Sequence, residues 1–316
     1  MSVVTIILNI LSIGIPFSVS LLLASLGEMF NQRAGVFNLG CEGIMSMGAF
    51  AGFMSAYFLQ KTALGPYANW IGILLAAGIG VALGLLYALV TVTFGAPQGI
   101  AGIGLQMLGT GVAGVLFRHF VGGVAGVPGL ANLPIPGLVK LPYIGTVLFN
   151  MNPLAYAAFI FVPVSWYILY KTPWGLKVRA VGAAPRSADT MAINVRRTRY
   201  QALAVGGLLA GVAGAYLSLG QAKMFADDIV AGRGFIAVAL VYFGRWDPWW
   251  ILGGSLLFSI AQSLQLSIQV LGISFPYEFA VMLPYVLVIL VLSFTRGSST
   301  RGPAELGVPY DREKRI

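Results

Sequence analysis

Residues able to carry out covalent or metal chemistry are scarce in this chain of 316 residues. Its single cysteine, Cys41, excludes an internal disulfide, and its single histidine, His119, excludes a metal site built from histidines. The adjacent acids Asp227 and Asp228 could attract a cation, although such a pair is more often a solvated turn of an exposed loop. We therefore expect no metal site and no cofactor in this chain.

Catalysis and ATP binding are not expected either. One histidine, one cysteine and scattered acids give no group of side chains that could act together in catalysis, so the chain is not expected to be an enzyme. A phosphate-binding loop of the form G-x-x-x-x-G-K-[ST] is absent, because the sequence has no Gly-Lys dipeptide. If ATP drives this protein, a separate subunit must bind it.

Charged side chains are concentrated in the segment 171–199, although only 9% of the chain is charged. The one acid of this segment is Asp189. Its basic residues are Lys171, Lys177, Arg179, Arg186, Arg196, Arg197 and Arg199. Such a density of positive charge indicates a segment that lies outside the membrane.

Within this segment a short helix of two or three turns is predicted after Pro185, because proline is tolerated in the first turn of a helix. Ala188, Met191, Ala192 and Val195 follow at the spacing of one helix face. A small apolar face ringed by arginines is typical of a helix that docks into a groove of a partner. The alternative is that the arginines only set the membrane topology and contact lipid head groups.

The composition shows which elements must position these residues. Hydrophobic residues make up 58% of the chain, which also has 41 glycines and a mean hydropathy of +0.86. These values describe an integral membrane protein rather than a soluble domain. A helix needs about 20 apolar residues to cross the hydrocarbon core. Several runs meet this need and none alternates with a period of two, so we expect an all-α polytopic bundle.

Eight long apolar runs are expected to span the membrane. They are 2–26, 44–59, 70–94, 99–117, 147–170, 200–222, 249–272 and 277–295. Two shorter apolar pieces, 34–41 and 235–243, each precede a long run. Each piece is expected to be a short crossing buried against its neighbours or a half-helix that enters and leaves. Counting both gives about ten spans within a single membrane domain, 1–316.

The orientation follows from the basic loops, which stay on the cytoplasmic side. The segment 171–199 and the tail 296–316 are therefore both expected in the cytoplasm. Four crossings connect the segment 171–199 with the tail if 235–243 counts as one crossing. If 34–41 is also counted as a crossing, the N-terminus lies on the cytoplasmic side. The loop 118–146 then faces outward, and its prolines make it a plausible docking surface for a partner. The first run has no Lys or Arg ahead of it and is expected to be a retained span.

Four stretches carry a family resemblance that covers almost the whole chain. The stretch GLKVRAVGAAPRSADTMAINVRRTRY at 175–200 resembles the cytoplasmic coupling loop of bacterial ABC importer permeases of the ribose/branched-chain amino acid type. It is most similar to nucleoside and simple-sugar permeases that work with binding lipoproteins of the basic membrane protein family. Three other stretches agree: GEMFNQRAGVFNLGCEGIMSMGAF, AGRGFIAVALVYFGRWDPWWILGGSLLF and PYEFAVMLPYVLVILVL.

This resemblance implies the subunits of the complete importer. They are a second, homologous but different permease, a cytoplasmic ABC ATPase that carries ATP and magnesium, and an external binding protein or lipoprotein. The assembly is expected in the bacterial inner membrane, without a nucleic-acid partner. The implied fold is that of a type II importer with an internal duplication. Each half would contain a short segment that ends in a break, at Glu42–Gly43 or at Gly244–Arg245.

The resemblance also implies which residues couple the permease to the ATPase. They are Gly175, Lys177, Arg179, Gly182, Pro185, Arg186, Ala188, Asp189, Met191, Ala192 and Val195. Closure of the ATPase domains is expected to push on the helix 185–195 and to tilt the spans around the two breaks. Substitution of Ala188 or Met191 by Asp is expected to abolish transport in a protein that still folds.

The substrate path is expected where the broken helices meet, because broken backbone is tolerated only beside protein or a water-filled cavity. The candidate lining residues are Phe37, Asn38, Glu42, Gln106, Gln221, Phe235 and Tyr242, with Gln262 and Gln265 as further amides. Alternatively, the amides only bond a neighbouring helix, for a gain of about 0.6–2 kcal/mol each. Glu42 is expected to pair with Arg33 rather than with substrate.

A path with few charges suits a neutral polar cargo such as a nucleoside, whereas nucleotides and phosphosugars would require arginines that the spans lack. Simple sugars and riboflavin remain alternatives within the family. Outside it stand a passive channel and a secondary transporter, for which Glu42 is the one acid near a suitable position.

Overall fold

The computed structural model describes residues 3–123, 125–141, 145–270 and 302–311, together with 278, 279, 282, 286, 289, 290 and 293. The regular secondary structure of these residues is helical apart from one short pairing of Leu133–Pro134 with Asn150–Met151 and an isolated bridge between Gly126 and Met224. The predicted all-α fold is therefore confirmed.

Eleven α-helices follow one another in the described part of residues 3–270. They are α1 (Val3–Arg33), α2 (Cys41–Leu59), α3 (Ala68–Ala88), α4 (Gln98–Phe120), α5 (Gly145–Leu148), α6 (Pro153–Lys171), α7 (Pro173–Ala183), α8 (Pro185–Thr190), α9 (Val195–Ala215), α10 (Arg233–Phe243) and α11 (Pro248–Val270). Two of them, α3 and α9, continue into single turns of π-helix at Leu89–Thr93 and Tyr216–Gln221.

Six helical stretches of the described residues are long and apolar enough to cross a membrane. They are Ile7–Arg33, Gly65–Thr93, Gln98–Phe120, Pro153–Lys171, Val195–Gln221 and Pro248–Ile268. The shorter α2 occupies the predicted run 44–59. The last predicted run, 277–295, lies mostly outside the described residues, and those of its residues that are described are helical. The protein is thus a multi-pass helical membrane protein.

The segment 34–40 is a turn rather than a short helix, because α1 extends to Arg33 and α2 begins at Cys41. The carbonyl oxygen of Asn31 accepts hydrogen bonds from the N–H groups of residues 34 and 36, and Gly35 has a φ of 84°. These bonds satisfy the backbone locally, so no further helix is needed to connect α1 with α2. The prediction of a short crossing or half-helix at 34–41 is therefore wrong.

The direction of α1 corrects the predicted position of the N-terminus. At the C-terminal end of α1, Arg33 Nη2 donates to the hydroxyl of Tyr170, which lies next to the basic segment. Nearer the other end, Ser263 Oγ donates to the carbonyl oxygen of Ile10. The 31 residues of α1 span about 46 Å. The start of α1 therefore lies at the end of the bundle opposite to the basic segment. The predicted N-terminus on the same side as that segment required 34–41 to cross as well, which it does not.

The second short piece is a helix, α10, as predicted. After α10 the chain breaks at residues 244–247, where Arg245 and Trp246 have φ values of 50° and 56°, and α11 begins at Pro248. Before α10 the chain is non-helical through 222–232, yet Phe225 is buried there. The two short pieces therefore differ in structure, and the discontinuous one lies in the second half of the chain.

The centre of the bundle is α9, which packs against α1, α2 and α3. Of the apolar stretch within Val195–Gln221, 83% is buried inside the chain. Small residues allow this close approach: a Cβ on Gly80 would overlap the carbonyl group of Gly207, and one on Gly211 would overlap that of Ala76. Since α9 begins at Val195, within the basic segment, a displacement of that segment acts on the core of the bundle.

Candidate functional site

The basic segment folds into two short helices and a turn that leads into α9. At the start of α7 the Thr172 hydroxyl accepts a hydrogen bond from the N–H of Gly175. At the start of α9 the Asn194 side chain accepts one from the N–H of Arg197, 2.8 Å away. Between α8 and α9, Ala192 has a φ of 59°, which reverses the chain. Side-chain caps thus fix the starts of α7 and α9.

The four residues expected on one docking face are divided between two environments. Ala188 and Val195 are 4% and 2% exposed and form a small cluster with Val181. Met191 is 77% exposed at the tip of the turn, and Ala192 beside it is also exposed. The predicted helix 185–195 is wrong in length, because α8 ends at Thr190 and the left-handed turn at Ala192 redirects the chain.

The remaining coupling candidates surround this turn. Lys177 and Arg186 are exposed, Asp189 is half-buried, and the Arg179 guanidinium lies 5.1 Å from the centre of the Tyr170 ring. Gly175, Gly182 and Pro185 are buried, and the two glycines lie at close approaches of the backbone. A Cβ on Gly182 would overlap the carbonyl oxygen of Arg33. The basic segment therefore rests directly on the end of α1.

A cleft of about 920 Å³ opens beside the turn. One wall is formed by residues 92–95, where Phe94 is 73% exposed. The other wall contains Arg186 and Arg196 together with Glu305 and residues 308–311 of the tail. The end of the bundle that carries Met191 thus has both a protruding apolar tip and a recess with one uncharged and one charged wall.

Two of the predicted path residues, Phe235 and Tyr242, lie on one exposed stripe of α10. They are 40% and 45% exposed, and the exposed Ala239 lies between them at the same helical face. Seven residues of helix separate the two rings by about 10 Å along the axis. The rings are therefore available to a ligand or a partner, with a small residue between them.

Glu42 caps the first turn of α10. Its Oε1 accepts a hydrogen bond from the N–H of Gly232 at 2.7 Å and its Oε2 one from the N–H of Gly234 at 2.6 Å. A carboxylate is favourable there, because the free N–H groups of a helix start carry partial positive charge. The expected pairing of Glu42 with Arg33 is wrong, since Arg33 bonds Tyr170 and the carbonyl of Trp246.

The other path candidates lie on several elements of the fold. Asn38 is 2% exposed and accepts a hydrogen bond from the N–H of Gly40 within the turn 34–40. Phe37 lies in the same turn, with its ring against Gly307 of the tail. Gln106 is half-buried on α4, Gln221 is half-buried at the end of the π-helical turn, and Gln262 and Gln265 are half-buried on α11. Of these residues, Gln106 lies against Gly43 in the first turn of α2, next to Glu42.

A buried polar cluster on the last turns of α1 was missed by the sequence reasoning. The Glu28 carboxylate accepts hydrogen bonds from Asn31 Nδ2, Gln32 Nε2 and the N–H of Asn38. Gln32 Oε1 in turn accepts one from the indole N–H of Trp246 at 2.8 Å. The available signal was the spacing of Glu28, Asn31 and Gln32, which places them on one helix face.

No cluster of three or more potential metal ligands occurs among the described residues. Asp227 instead forms an exposed ion pair with Arg118, with 52% and 61% of the side chains accessible. The adjacent acids therefore belong to a solvated loop with a local partner.

Comparison with known proteins identifies relatives over nearly the whole chain. Residues 6–292 match the family described as branched-chain amino acid transport system / permease component. The guanosine ABC transporter permease protein NupQ of Bacillus subtilis is 36% identical over 98% of this chain and 99% of its own length. The nucleoside ABC transporter permease protein NupC of Lactococcus lactis is 34% identical over 99% of this chain and 100% of its own length.

A further relative carries a different cargo in its name. TsgC13 of Haloferax volcanii, provisionally named a glucose ABC transporter permease protein, is 36% identical over 96% of this chain and 98% of its own length. No solved structure matches the chain. The extent of the family match and these identities show that the chain belongs to the family of branched-chain amino acid transport system permease components, as a multi-pass permease subunit of the ABC transporter type.

Proposed function

We propose that this permease forms the path by which an ATP-driven importer carries nucleosides across the membrane. The observation that carries the proposal is the near-full-length similarity to NupQ and NupC, whose names assign them guanosine and nucleosides. Membership of the permease family fixes the class of protein, and the cargo is the step added by the proposal.

The exposed stripe of α10 supports a neutral aromatic cargo. A nucleobase stacks favourably on aromatic rings, and Phe235 and Tyr242 present two rings with Ala239 between them. The stripe carries no charge, so a nucleoside would pass it without the desolvation cost that a phosphate would meet. Weak contacts of this kind allow release, which transport requires.

The turn from Pro185 to Ala192 would couple the permease to the ATPase. Met191 at its tip is a large apolar side chain at 77% exposure, which suits insertion into a groove of a partner. The exposed Lys177, Arg186 and Arg197 surround it with positive charge. A push on this turn would act on α9, which follows it and packs against three spans.

The complete importer would contain three further kinds of subunit in the bacterial inner membrane. They are a second homologous permease, a cytoplasmic ABC ATPase that binds ATP and magnesium, and an external binding protein or lipoprotein. The distribution of Lys and Arg favours a cytoplasmic position for 171–199 and for the tail. The start of α1 and the loop 118–146 would then face outward, and the loop would receive the binding protein.

A simple sugar is the second and weaker candidate cargo, because TsgC13 has the same 36% identity to this chain as NupQ. The two candidates share the permease role and the coupling turn. They differ in whether a base or only a sugar ring occupies the stripe of α10.

Uptake of radiolabelled guanosine tests the proposed cargo. Cells with the permease and cells lacking it are compared, with competition by excess unlabelled adenosine, uridine, ribose, glucose and riboflavin. Loss of uptake on deletion, with competition by nucleosides alone, is the expected result. Competition by glucose or ribose would favour the sugar, and unchanged guanosine uptake in cells without another nucleoside system would contradict the nucleoside cargo.

A further inference from the structure

Residues 302–311 of the tail lie against the end of the bundle that carries the basic segment, and we name them the strap. Leu306 packs on the main hydrophobic core and Tyr310 packs on the small cluster of Val181, Ala188 and Val195. The strap is therefore a packed part of the fold, and it touches elements that are far apart in sequence.

One end of the strap contacts the break between α10 and α11. A Cβ added to Gly302 would overlap the indole ring of Trp246. Trp246 itself is 8% exposed and adopts a left-handed backbone conformation that is unfavourable for a bulky residue. Gln32 and Arg33 hold it there through its indole N–H and its carbonyl oxygen. Its ring also contacts Tyr242 of the α10 stripe, with 5.0 Å between the ring centres.

The other end of the strap contacts the coupling segment. The N–H of Glu305 donates to the carbonyl oxygen of Gly182 at the end of α7, 3.2 Å away. The ring of Tyr310 packs on the cluster that contains Ala188 of α8. A shift of α7 and α8 must therefore move the strap or break these contacts.

The middle of the strap is fastened to the turn 34–40 and to α9. The N–H of Gly307 donates to the carbonyl oxygen of Gly35 at 3.1 Å. Arg199, which is only 1% exposed, donates from Nη1 to the carbonyl oxygen of Val308 and from Nε to that of Ala34. Arg199 thus joins the first turns of α9, the turn that directly follows α1 and the strap in one buried set of hydrogen bonds.

We propose that the strap is a coupling element, which transmits displacement of α8 to Trp246 and through Trp246 to the aromatic stripe of α10. This inference rests on the proposed function, because it assumes that a partner ATPase moves the turn 185–192. The strained conformation of Trp246 makes the break the two-state element of this route. Gly182 also contacts the carbonyl of Arg33, which provides a second route, so loss of the strap weakens coupling rather than abolishing it.

The test uses the complete importer reconstituted in lipid vesicles, with ATP hydrolysis and guanosine import measured on the same preparation. In one variant, residues 302–308 are replaced by a Gly-Ser segment of equal length. A second, milder variant is Gly302→Ala, matched by Gly253→Ala, which adds the same methyl group where nothing lies within 4 Å. A truncation that removes only 312–316 controls for shortening of the tail.

The expected result is normal assembly and retained ATP hydrolysis, with roughly a tenfold rise in ATP consumed per guanosine imported, the size of a typical coupling free energy. Gly302→Ala shifts the ratio in the same direction and the two controls leave it unchanged. An unchanged ratio, or a loss of hydrolysis and import in equal proportion, would make the strap a purely structural clasp and overturn the proposal.

Failure of the cargo assignment is distinguishable from failure of this inference. Stimulation of ATP hydrolysis by the binding protein reports coupling without any labelled guanosine. If the wild-type complex shows stimulation but no guanosine import, the nucleoside cargo is wrong. The strap is then judged by whether its replacement reduces the stimulation while the unstimulated rate of hydrolysis is retained.

Discussion

Arg33 donates from both Nε and Nη2 to the main-chain carbonyl oxygen of Trp246, at 3.2 and 2.9 Å. This contact joins the end of α1 to the break between α10 and α11, across more than two hundred residues of sequence. It holds a tryptophan in a left-handed conformation at the point where α10, with its exposed aromatic stripe, ends. The geometry of the break therefore depends on a side chain from another helix.

Substitution Arg33→Lys tests that dependence. Lysine keeps the charge but cannot present two donors in a fixed plane to one oxygen. We expect uptake to fall several-fold, with a loss of stability of about 1–3 kcal/mol, the usual cost of weakening a buried charged hydrogen bond. The measurements are uptake and thermal unfolding of the purified permease.

Arg118→Lys is the matched control for this substitution. Arg118 pairs with Asp227 in an exposed ion pair, which contributes at most about 1 kcal/mol. Uptake and stability of Arg118→Lys should stay near wild type. Equal effects of the two substitutions would show that the contact with Trp246 has no special role.

Substitution by aspartate should have different effects at Met191 and at Ala188. Met191→Asp places a charge on an exposed tip, so the permease should fold and insert normally while ATP-driven uptake is lost. Ala188→Asp places a charge in the buried cluster with Val181 and Val195, so the amount of folded protein should fall as well.

The measurements are the yield of purified permease, its co-purification with the ATPase, and uptake. Met191→Leu, which keeps an apolar tip, serves as the control and should retain uptake. Normal uptake by Met191→Asp would contradict the docking of this turn on the ATPase. Normal folding of Ala188→Asp would contradict the burial of Ala188.

The stripe of α10 yields a prediction about cargo. Phe235→Ala and Tyr242→Ala should each reduce the rate of nucleoside import, because one stacking surface of the path is removed. Ala239→Trp should block import more severely, since it fills the space between the two rings. Import kinetics in vesicles with the complete importer provide the measurement.

Trp249→Ala is the control for these stripe variants. Trp249 is 51% exposed in the first turn of α11, outside the stripe. The substitution Trp249→Ala removes a comparable aromatic surface. If it decreases import as much as Phe235→Ala does, the effect is a general one of exposed aromatic side chains, which would contradict the assignment of the stripe to the path.

The sequence predicts the positions of the spans well and their ends less well. The first run is predicted to end at residue 26, whereas α1 continues to Arg33. Hydropathy underestimates the length of this helix because Glu28, Asn31 and Gln32 are polar. These side chains are nevertheless buried, because they form hydrogen bonds with one another, with Asn38 and with Trp246. A polar helix face satisfied by distant residues cannot be read from local composition.

The candidate site is predictable only in part for a similar reason. The exposed Met191 and the stripe residues Phe235 and Tyr242 are identified from the sequence. The separation of Ala188 from Met191 depends on a left-handed alanine at 192, a conformation for which alanine gives no signal. The contacts of the tail with Gly182 and Trp246 are set by the tertiary fold, which spacing does not reveal.

Glu42→Gln tests both the start of α10 and the rival hypothesis of a secondary transporter. The glutamine amide has only one oxygen, so it can accept from Gly232 or from Gly234 while its NH2 group faces the other N–H. We expect a loss of stability of about 1–3 kcal/mol from the unsatisfied donor. Uptake should decrease moderately and should still depend on ATP.

The decisive measurement is uptake by wild type and Glu42→Gln in vesicles supplied with ATP, with and without a protonophore. A permease driven by a partner ATPase keeps its uptake in the presence of the protonophore in both forms, because Glu42 holds a helix start and carries no transported proton. The opposite outcome is that the protonophore abolishes uptake by the wild type and that Glu42→Gln shows no uptake at all. This result would assign Glu42 to ion coupling and contradict the ATP-driven mechanism.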